Sequence, residues 1–146
     1  HLSNPFTYAP DLAAKLKADA DIVIMDFHAS TTAEKYTMFR LMDGKVSAVV
    51  GTHTKALSAD EQILDKGTAI ICDTGRTGSL ESVGGLDPKI EIEKFVTQVP
   101  ERSREAWKKL ELQGVIIEFN NEGKAESIRS IRKETEALDA GESDSY

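Results

Sequence analysis

The spacing of apolar and polar residues predicts alternating helices and strands at the start of the chain. The segment APDLAAKLKADAD predicts a short amphipathic helix that ends near Asp19. The continuous apolar run DIVIMDF is typical of a strand that is covered on both faces. STTAEKYTMFRLMDGKV predicts a second helix, which ends at Gly44 and has a cap among Ser30, Thr31 and Thr32. The order is therefore helix, strand, helix.

Two more apolar runs, VSAVVG and TAIICD, predict buried strands joined by the loop THTKALSADEQILDKG. LDPKIEIEKFVTQV predicts a further helix with Asp87 as its cap and Pro88 at the first helical position. Ile90, Phe95 and Val96 of this helix are expected to face a sheet. Short apolar strands separated by a helix favour a layered α/β domain with at least one parallel pair of strands.

The pattern changes to strict alternation near the C-terminus. GVIIEFNNEGKAESIRSIRK predicts a β-hairpin, because Val115, Ile117 and Phe119 alternate with the neighbouring residues and NNEG supplies the turn. Ile128 and Ile131 fall in the returning strand. The charged segment before the hairpin, ERSREAWKKLELQ, fits either a helix or an irregular connection.

Length and composition indicate one compact globular domain. The chain has 146 residues, of which 40% are hydrophobic and 29% are charged. We expect a single α/β domain over residues 1–133 and an acidic, disordered tail over residues 134–146. No segment resembles a membrane span or a signal peptide, so the predicted location is the cytoplasm, without a membrane partner. The net charge of −7 argues against non-specific nucleic-acid binding.

Two histidines follow predicted strands and are candidates for metal binding. His28 comes directly after IVIMDF, and His53 follows AVVG. The carboxyl ends of parallel strands meet at one edge of a sheet, so the two imidazoles are expected to lie close together. Neutral imidazole binds zinc, manganese and iron, but a polar side chain at a strand end is the commoner explanation. Asp26 and Asp73 are the nearest carboxylates, and Asp73 is a candidate partner for an imidazole.

Several motifs resemble those of one enzyme family. Their order and spacing resemble those of the C-terminal half of the YmdB-type metallophosphoesterases. The segments are DFHASTTAEK, DGKVSAVVGTHTK, ADEQIL, KGTAIICDTGRTG and a GGLD before FVTQVP. The resemblance extends from Asn4 to the hairpin near Arg132. It implies part of a four-layer α/β/β/α sandwich, in which two sheets pack face to face. The expected fold is therefore α/β, with a mixed sheet and a C-terminal β-hairpin.

The same resemblance implies a chemistry. Members of the family are calcineurin-like enzymes with a dinuclear metal centre and are described as cyclic-nucleotide phosphodiesterases. The resemblance therefore implies a metal-dependent phosphodiesterase for 2',3'- or 3',5'-cyclic monophosphates. The family motifs DFHAE and GTHTH assign metal binding to His28 and His53, with manganese, iron or zinc as the ion. Three other residues are candidates for supporting a ligand or contacting substrate: Asp26, Lys55 and Asp73.

The sequence also departs from the family pattern. Lys55 stands where the family has the second histidine of GTHTH, and Ser30 stands where it has the glutamate of DFHAE. The family's N-terminal half, which supplies further ligands, has no counterpart in this sequence. Two histidines cannot hold two metal ions, so we expect weak or no metal binding and little hydrolase activity from this chain alone. The expected partner is an N-terminal half or another copy of the chain.

The sequence also fits two other functions. Lys55 and Ser30 favour a non-catalytic binding or assembly module that has kept the scaffold while its metal site degenerated. An unrelated α/β domain that binds a small ligand in the loops after its strands is the third hypothesis. Metal content and phosphodiester turnover, measured with and without a co-expressed N-terminal half, distinguish the three.

Overall fold

The computed structural model describes residues 3–135. The chain divides into two compact units, and each contains two stretches of sequence. The first unit comprises the residues up to Gly75 together with Gly114–Ile131, and the second comprises Arg76–Gln113 and the residues from Arg132 onward. A single domain over residues 1–133 stays a prediction. Residues 136–146 of the predicted tail lie outside the described residues.

The part of the chain from residue 3 to residue 135 contains three helices and seven strands. The helices are α1 (Pro5–Lys17), α2 (Thr32–Met42) and α3 (Pro88–Thr97). The strands are β1 (Ile24–His28), β2 (Ala48–Thr52), β3 (Gln62–Ile63), β4 (Ala69–Ile71), β5 (Gly78–Ser79), β6 (Leu110–Phe119) and β7 (Ala125–Glu134). None of the helices among these residues is long and apolar enough to cross a bilayer.

Side-chain caps decide where the first two helices begin. α1 starts before the predicted segment, because Asn4 Oδ1 accepts the backbone N–H of Phe6 at 2.9 Å and Pro5 occupies the first turn. α2 starts after Thr31, whose hydroxyl accepts the N–H of Glu34 at 3.2 Å. Thr31 was one of three residues predicted as this cap.

The first unit is built on a mixed sheet with the strand order β1-β2-β4-β3. β1, β2 and β4 are parallel, and the short β3 is antiparallel to β4. The register pairs His28 with Thr52, so the ends of β1 and β2 lie side by side. The predicted parallel pair and mixed sheet are confirmed. β3 was not predicted, because a two-residue strand leaves too short an apolar pattern.

The sheet of the first unit is covered by different layers on its two faces. α1 and α2 contribute to a core with the sheet that includes the fully buried Met38 and Phe39. The opposite face carries the small residues Ala48 and Ala69, which pack with Ala125 and neighbouring apolar residues of the hairpin. The confirmed β6–β7 hairpin thus forms a third layer. This unit has the layer order α/β/β.

Strand β1 lies at an edge of this sheet, and the described residues cover only one of its faces. Val23 and Phe27 are buried, and the Phe27 ring lies 6.1 Å from that of Phe6 in α1. Ile24, Asp26 and His28 alternate with them and are exposed. The prediction of a strand covered on both faces is therefore wrong for β1. The hairpin layer packs on β2 and β4 and leaves Ile24 55% exposed.

In the second unit, Asp87 caps α3 by accepting the N–H of Lys89 at 2.8 Å, as predicted. The inward face of α3 is polar, because buried Glu91 pairs with Lys94 at 2.9 Å. Phe95 and Val96 are each 76% exposed, so the prediction that they face a sheet is wrong. The charged segment after α3 is irregular rather than helical.

Candidate functional site

The candidate site forms where β1 and β2 end side by side. β1 continues regularly to His28, so Asp26 and His28 project from the same exposed face. Thr52 ends β2 as the direct neighbour of His28. Glycine at position 51 lets the end of β2 lie close to the backbone at the end of β4, because a Cβ there would lie only 2.0 Å from the carbonyl oxygen of Cys72. A larger residue at position 51 would push the end of β2 away from the end of β4.

The imidazoles of His28 and His53 converge at this edge. His28 Nε2 and His53 Nδ1 are 3.2 Å apart, and the ring centroids are 5.1 Å apart at an angle of 75°. His53 reaches this position with a φ of 139°, a backbone conformation that residues other than glycine rarely adopt. Such backbone strain persists only where the surrounding structure imposes it and is frequent at functional sites.

A chain of hydrogen bonds reaches His28 from the other side. Thr52 Oγ1 lies 3.0 Å from His28 Nδ1 and donates to Asp26 Oδ1 at 3.2 Å. Asp26, predicted as a supporting residue, is thus connected to the imidazole through a hydroxyl. Thr52 was not predicted as a site residue, although its place in GTHTK next to a strand end was visible.

The loop that carries His53 is held from beneath by Asp73. The Asp73 carboxylate accepts the backbone N–H of Thr54 at 2.7 Å and that of Gly75 at 2.9 Å, and the residue is only 2% exposed. Asp73 was predicted as a partner for an imidazole. Its carboxylate instead bonds the backbone of the residue that follows His53, and in this way it positions the loop.

Asp73 is paired with a buried lysine. Lys35 Nζ lies 3.6 Å from Asp73 Oδ2, and both side chains are 2% exposed. Buried charges occur almost only when they are paired, so each ion depends on the other. Lys35 was not predicted as a site residue. Its position was detectable, since Lys35, Met38, Phe39 and Met42 form the i, i+3, i+4, i+7 stripe that α2 buries.

Cys72 lies between the end of β4 and Asp73 and is 6% exposed. Burial raises the pKa of its thiol to about 12, and the hydrogen bond to Asp60 adds to the effect. The thiol is therefore protonated at neutral pH. This agrees with the predicted role of a small core residue, and it excludes Cys72 as a nucleophile at this pH.

The two converging nitrogens fit two ligands of one metal ion. Imidazole nitrogens bind Zn²⁺ at about 2.1 Å, so two of them in a tetrahedral site lie about 3.4 Å apart. The observed separation is 3.2 Å. Within residues 3–135, no group of three or more His, Cys, Asp or Glu side chains is placed to hold a metal ion. Lys55 follows His53 on the exposed loop with a φ of 59°.

Comparison with known proteins identifies the family. The sequence profile of the YmdB-like proteins matches residues 1–131. The chain belongs to the YmdB-like family. A curated relative from Bacillus subtilis (strain 168), named 2',3'-cyclic-nucleotide 2'-phosphodiesterase, is 41% identical over 123 residues. That match covers 84% of this chain and 47% of the relative.

Solved structures of this YmdB-like fold support the same assignment. A crystal structure of a novel phosphatase from Mycoplasma pneumoniae matches with a TM-score of 0.82 and 36% identity, covering 90% of this chain and 47% of that one. A hypothetical protein from Thermus thermophilus matches with a TM-score of 0.83 and 31% identity, covering 92% and 52%. The predicted family and fold class are confirmed. The chain spans about half the length of these relatives.

Proposed function

We propose that this chain supplies part of the metal centre of a phosphodiesterase that hydrolyses a small cyclic nucleotide. The observation that carries the proposal is the 3.2 Å separation of His28 Nε2 and His53 Nδ1 at the end of two parallel strands. Membership of the YmdB-like family and the phosphodiesterase name of the Bacillus subtilis relative support it. His28 and His53 would hold a divalent ion, with manganese, iron and zinc as the candidates.

The chain's own residues have separate tasks in this proposal. Bound divalent ions neutralise phosphoryl oxygens and activate water in phosphodiester hydrolysis. His28 and His53 provide two of the ligands, and Asp73 holds the loop on which His53 stands. Lys55, exposed on the same loop, would contact the substrate phosphate, because an ammonium forms charge-assisted hydrogen bonds to phosphate oxygens.

Two ligands do not complete a metal centre, so the proposal requires a partner. We propose that the complementary half of the YmdB-like fold binds along β1 and supplies the remaining ligands. Among residues 3–135, no strand pairs with the outer side of β1, and unpaired edges are sites of strand addition. Beside it lies an apolar groove of about 280 Å³ between α1 and β1. Leu16 and Ile24 line this groove and are 46% and 55% exposed.

Co-expression tests the partner. The chain is produced with the non-matching half of the Bacillus subtilis relative, and their association is measured by co-purification. Ile24→Glu should weaken the complex at least tenfold, because it places a charge on the proposed contact. Phe95→Glu, on the exposed face of α3, is the matched control and should leave association unchanged. A different outcome is that the chain associates with itself and not with the half from the Bacillus subtilis relative. If Ile24→Glu abolished that self-association, the partner along β1 would be a second copy of the chain.

Metal content and turnover test the activity. The proposal predicts tightly bound manganese, iron or zinc and hydrolysis of a chromogenic phosphodiester when both halves are present, and weak metal binding without turnover from the chain alone. The variant His28→Ala/His53→Ala should lose both properties in the complex. His1→Ala removes the third histidine of the sequence and serves as the control. Equal metal and turnover in the double variant would contradict the proposal.

A non-catalytic assembly module is the second candidate function. The specific observation that favours it is Lys55, which places an ammonium at the family position of a metal-binding histidine. Under this alternative the two halves associate but bind no metal. Lys55→His then separates the two: it should strengthen metal binding if His28 and His53 form a working site, and have no effect if the site has degenerated.

A further inference from the structure

We propose that Thr52 and Asp26 fix the tautomer of His28, so that its Nε2 lone pair is directed toward His53. Both are then positioning residues for His28. The tautomer is a property of the metal-free chain. Its consequence for metal binding rests on the function proposed above.

The direction of each hydrogen bond follows from the donors available. An ionised carboxylate only accepts hydrogen bonds, and a threonine hydroxyl has a single proton to donate. Thr52 Oγ1 gives that proton to Asp26 Oδ1 at 3.2 Å, which leaves its lone pairs for His28 Nδ1 at 3.0 Å. His28 Nδ1 must therefore carry the ring proton. In a neutral imidazole the other nitrogen, Nε2, is then unprotonated and can bind a metal ion.

The regular pairing of β1 and β2 holds these hydrogen bonds in place. We refer to the chain of hydrogen bonds from Asp26 through Thr52 to His28 as the relay. His28 is paired with Thr52 across β1 and β2, and Asp26 lies two residues earlier on the same face of β1. Threonine is β-branched, so its χ1 angle is restricted in a strand and its hydroxyl keeps its direction. The three side chains are thus placed by backbone pairing, and they need no loop to bring them together.

The assigned tautomer also accounts for the contact between the two histidines. His28 Nε2 has a lone pair, so His53 Nδ1 donates the proton that joins them at 3.2 Å in the metal-free chain. For Nδ1 of His53 to bind a metal ion, the ring would have to carry its proton on Nε2 instead. If the hydrogen bonds through Thr52 were lost, His28 would carry its proton on Nε2 in part of the molecules. The apparent affinity for a metal ion would then fall in proportion to the fraction of molecules whose Nε2 is unprotonated.

Nitrogen NMR of the metal-free chain tests the tautomer directly. Two-bond correlations between ring protons and ¹⁵N distinguish a protonated Nδ1 from a protonated Nε2. The wild-type chain should show His28 protonated at Nδ1. Thr52→Val removes the hydroxyl with little change of shape and should shift His28 toward the form protonated at Nε2, whereas Thr52→Ser should preserve the wild-type pattern.

A matched control is available in α2. Thr37 also donates its hydroxyl proton, to the carbonyl of Ala33 at 2.8 Å, and it is exposed. Thr37→Val should leave the His28 nitrogen shifts unchanged. The backbone amide spectrum checks that each variant is folded. A wild-type His28 pattern in folded Thr52→Val, or a protonated Nε2 in the wild-type chain, would overturn the inference.

Zn²⁺ titration of the same samples measures the consequence. Changes to the hydrogen-bond partner of a metal-binding histidine typically weaken metal affinity about 10- to 100-fold. We expect about a tenfold loss for Thr52→Val and wild-type affinity for Thr52→Ser. If the tautomer shifts in Thr52→Val but no protein sample binds Zn²⁺ at His28, the relay stands and the proposed metal site fails.

Discussion

The two histidines of the candidate site are held by different parts of the structure. His28 stands on a regular strand, and partly exposed hydrogen bonds through Thr52 orient it. His53 stands on a loop in a strained conformation, which the buried Asp73 and Lys35 support from beneath. The first arrangement depends on strand pairing and the second on a desolvated ion pair. A substitution in the residues that support His53 should therefore lower the stability of the fold far more than a substitution in the residues that orient His28.

Typical energies give the comparison a scale. A hydrogen bond between neutral partners contributes about 0.5–1.5 kcal/mol to stability, and one to a charged group contributes about 1.5–3 kcal/mol. Removal of one member of a buried ion pair costs about 3–5 kcal/mol, because it leaves the other charge desolvated. The relay on Thr52 should thus affect ligand geometry with little effect on folding. Changes at Asp73 should affect both.

The largest effect is expected for Asp73→Asn. The substitution keeps the size of the side chain but leaves the ammonium of Lys35 buried without a carboxylate. The free energy of unfolding in urea should fall by about 3–5 kcal/mol. Asp65→Asn, at an exposed position, is the control and should change it by less than about 0.5 kcal/mol. If Asp73→Asn lowered the free energy of unfolding no more than Asp65→Asn does, the Lys35–Asp73 pair would not support the loop.

A smaller loss is expected for Lys35→Met. Methionine fills similar space on the buried stripe of α2, and Asp73 retains the N–H groups of Thr54 and Gly75. The carboxylate remains partly satisfied, so the cost should be about 1–3 kcal/mol in the same urea experiment. Lys15→Met, at an exposed position in α1, is the control. A larger loss for Lys35→Met than for Asp73→Asn would reverse the proposed order.

A pH dependence is also expected from Cys72. Burial raises its thiol pKa from 9.0 to about 12, so above pH 9 the folded chain retains a proton that the unfolded chain loses. The thiol's contribution to stability is complete below pH 9 and is lost as the pH rises toward 12. Urea unfolding of the wild-type chain should therefore decline more steeply across this interval than that of Cys72→Ala. Parallel declines would contradict the burial of the thiol.

The reactivity of Cys72 also reports whether the region around Asp73, which supports the His53 loop, stays closed to solvent. The folded wild-type chain should react slowly with iodoacetamide at pH 8, because the thiol is buried and protonated. Asp73→Asn should accelerate the reaction if it opens this region, whereas Thr52→Val should not. Equal rates in all three proteins would remove the proposed contrast between the two sides.

The same contrast explains what the sequence could predict. Apolar runs and caps predicted β1, β2, α2 and the hairpin, because those signals are local. They also placed His28 and His53 after neighbouring parallel strands. The support of His53 is not local, since Lys35 and Asp73 are distant in sequence and only the fold pairs them. Lys35 interrupts an apolar stripe, and a search for such interruptions would have found it.

The exposed apolar residues mark another limit of sequence patterns. Phe95 and Val96 lie at apolar positions of α3, yet both are exposed, because Glu91 and Lys94 occupy the inward face. Ile24 belongs to a continuous apolar run but lies on the uncovered face of an edge strand. Periodicity identifies residues that favour burial, and it does not say which layer covers them.

The central claim is that His28 Nε2 and His53 Nδ1 bind the same metal ion. Zn²⁺ titration of the chain, followed by the ¹⁵N shifts of all histidine ring nitrogens, tests it most directly. The claim predicts that these two nitrogens change together at one equivalent of bound ion. A change at only one of them, at the opposite nitrogens of the rings, or at neither would contradict it.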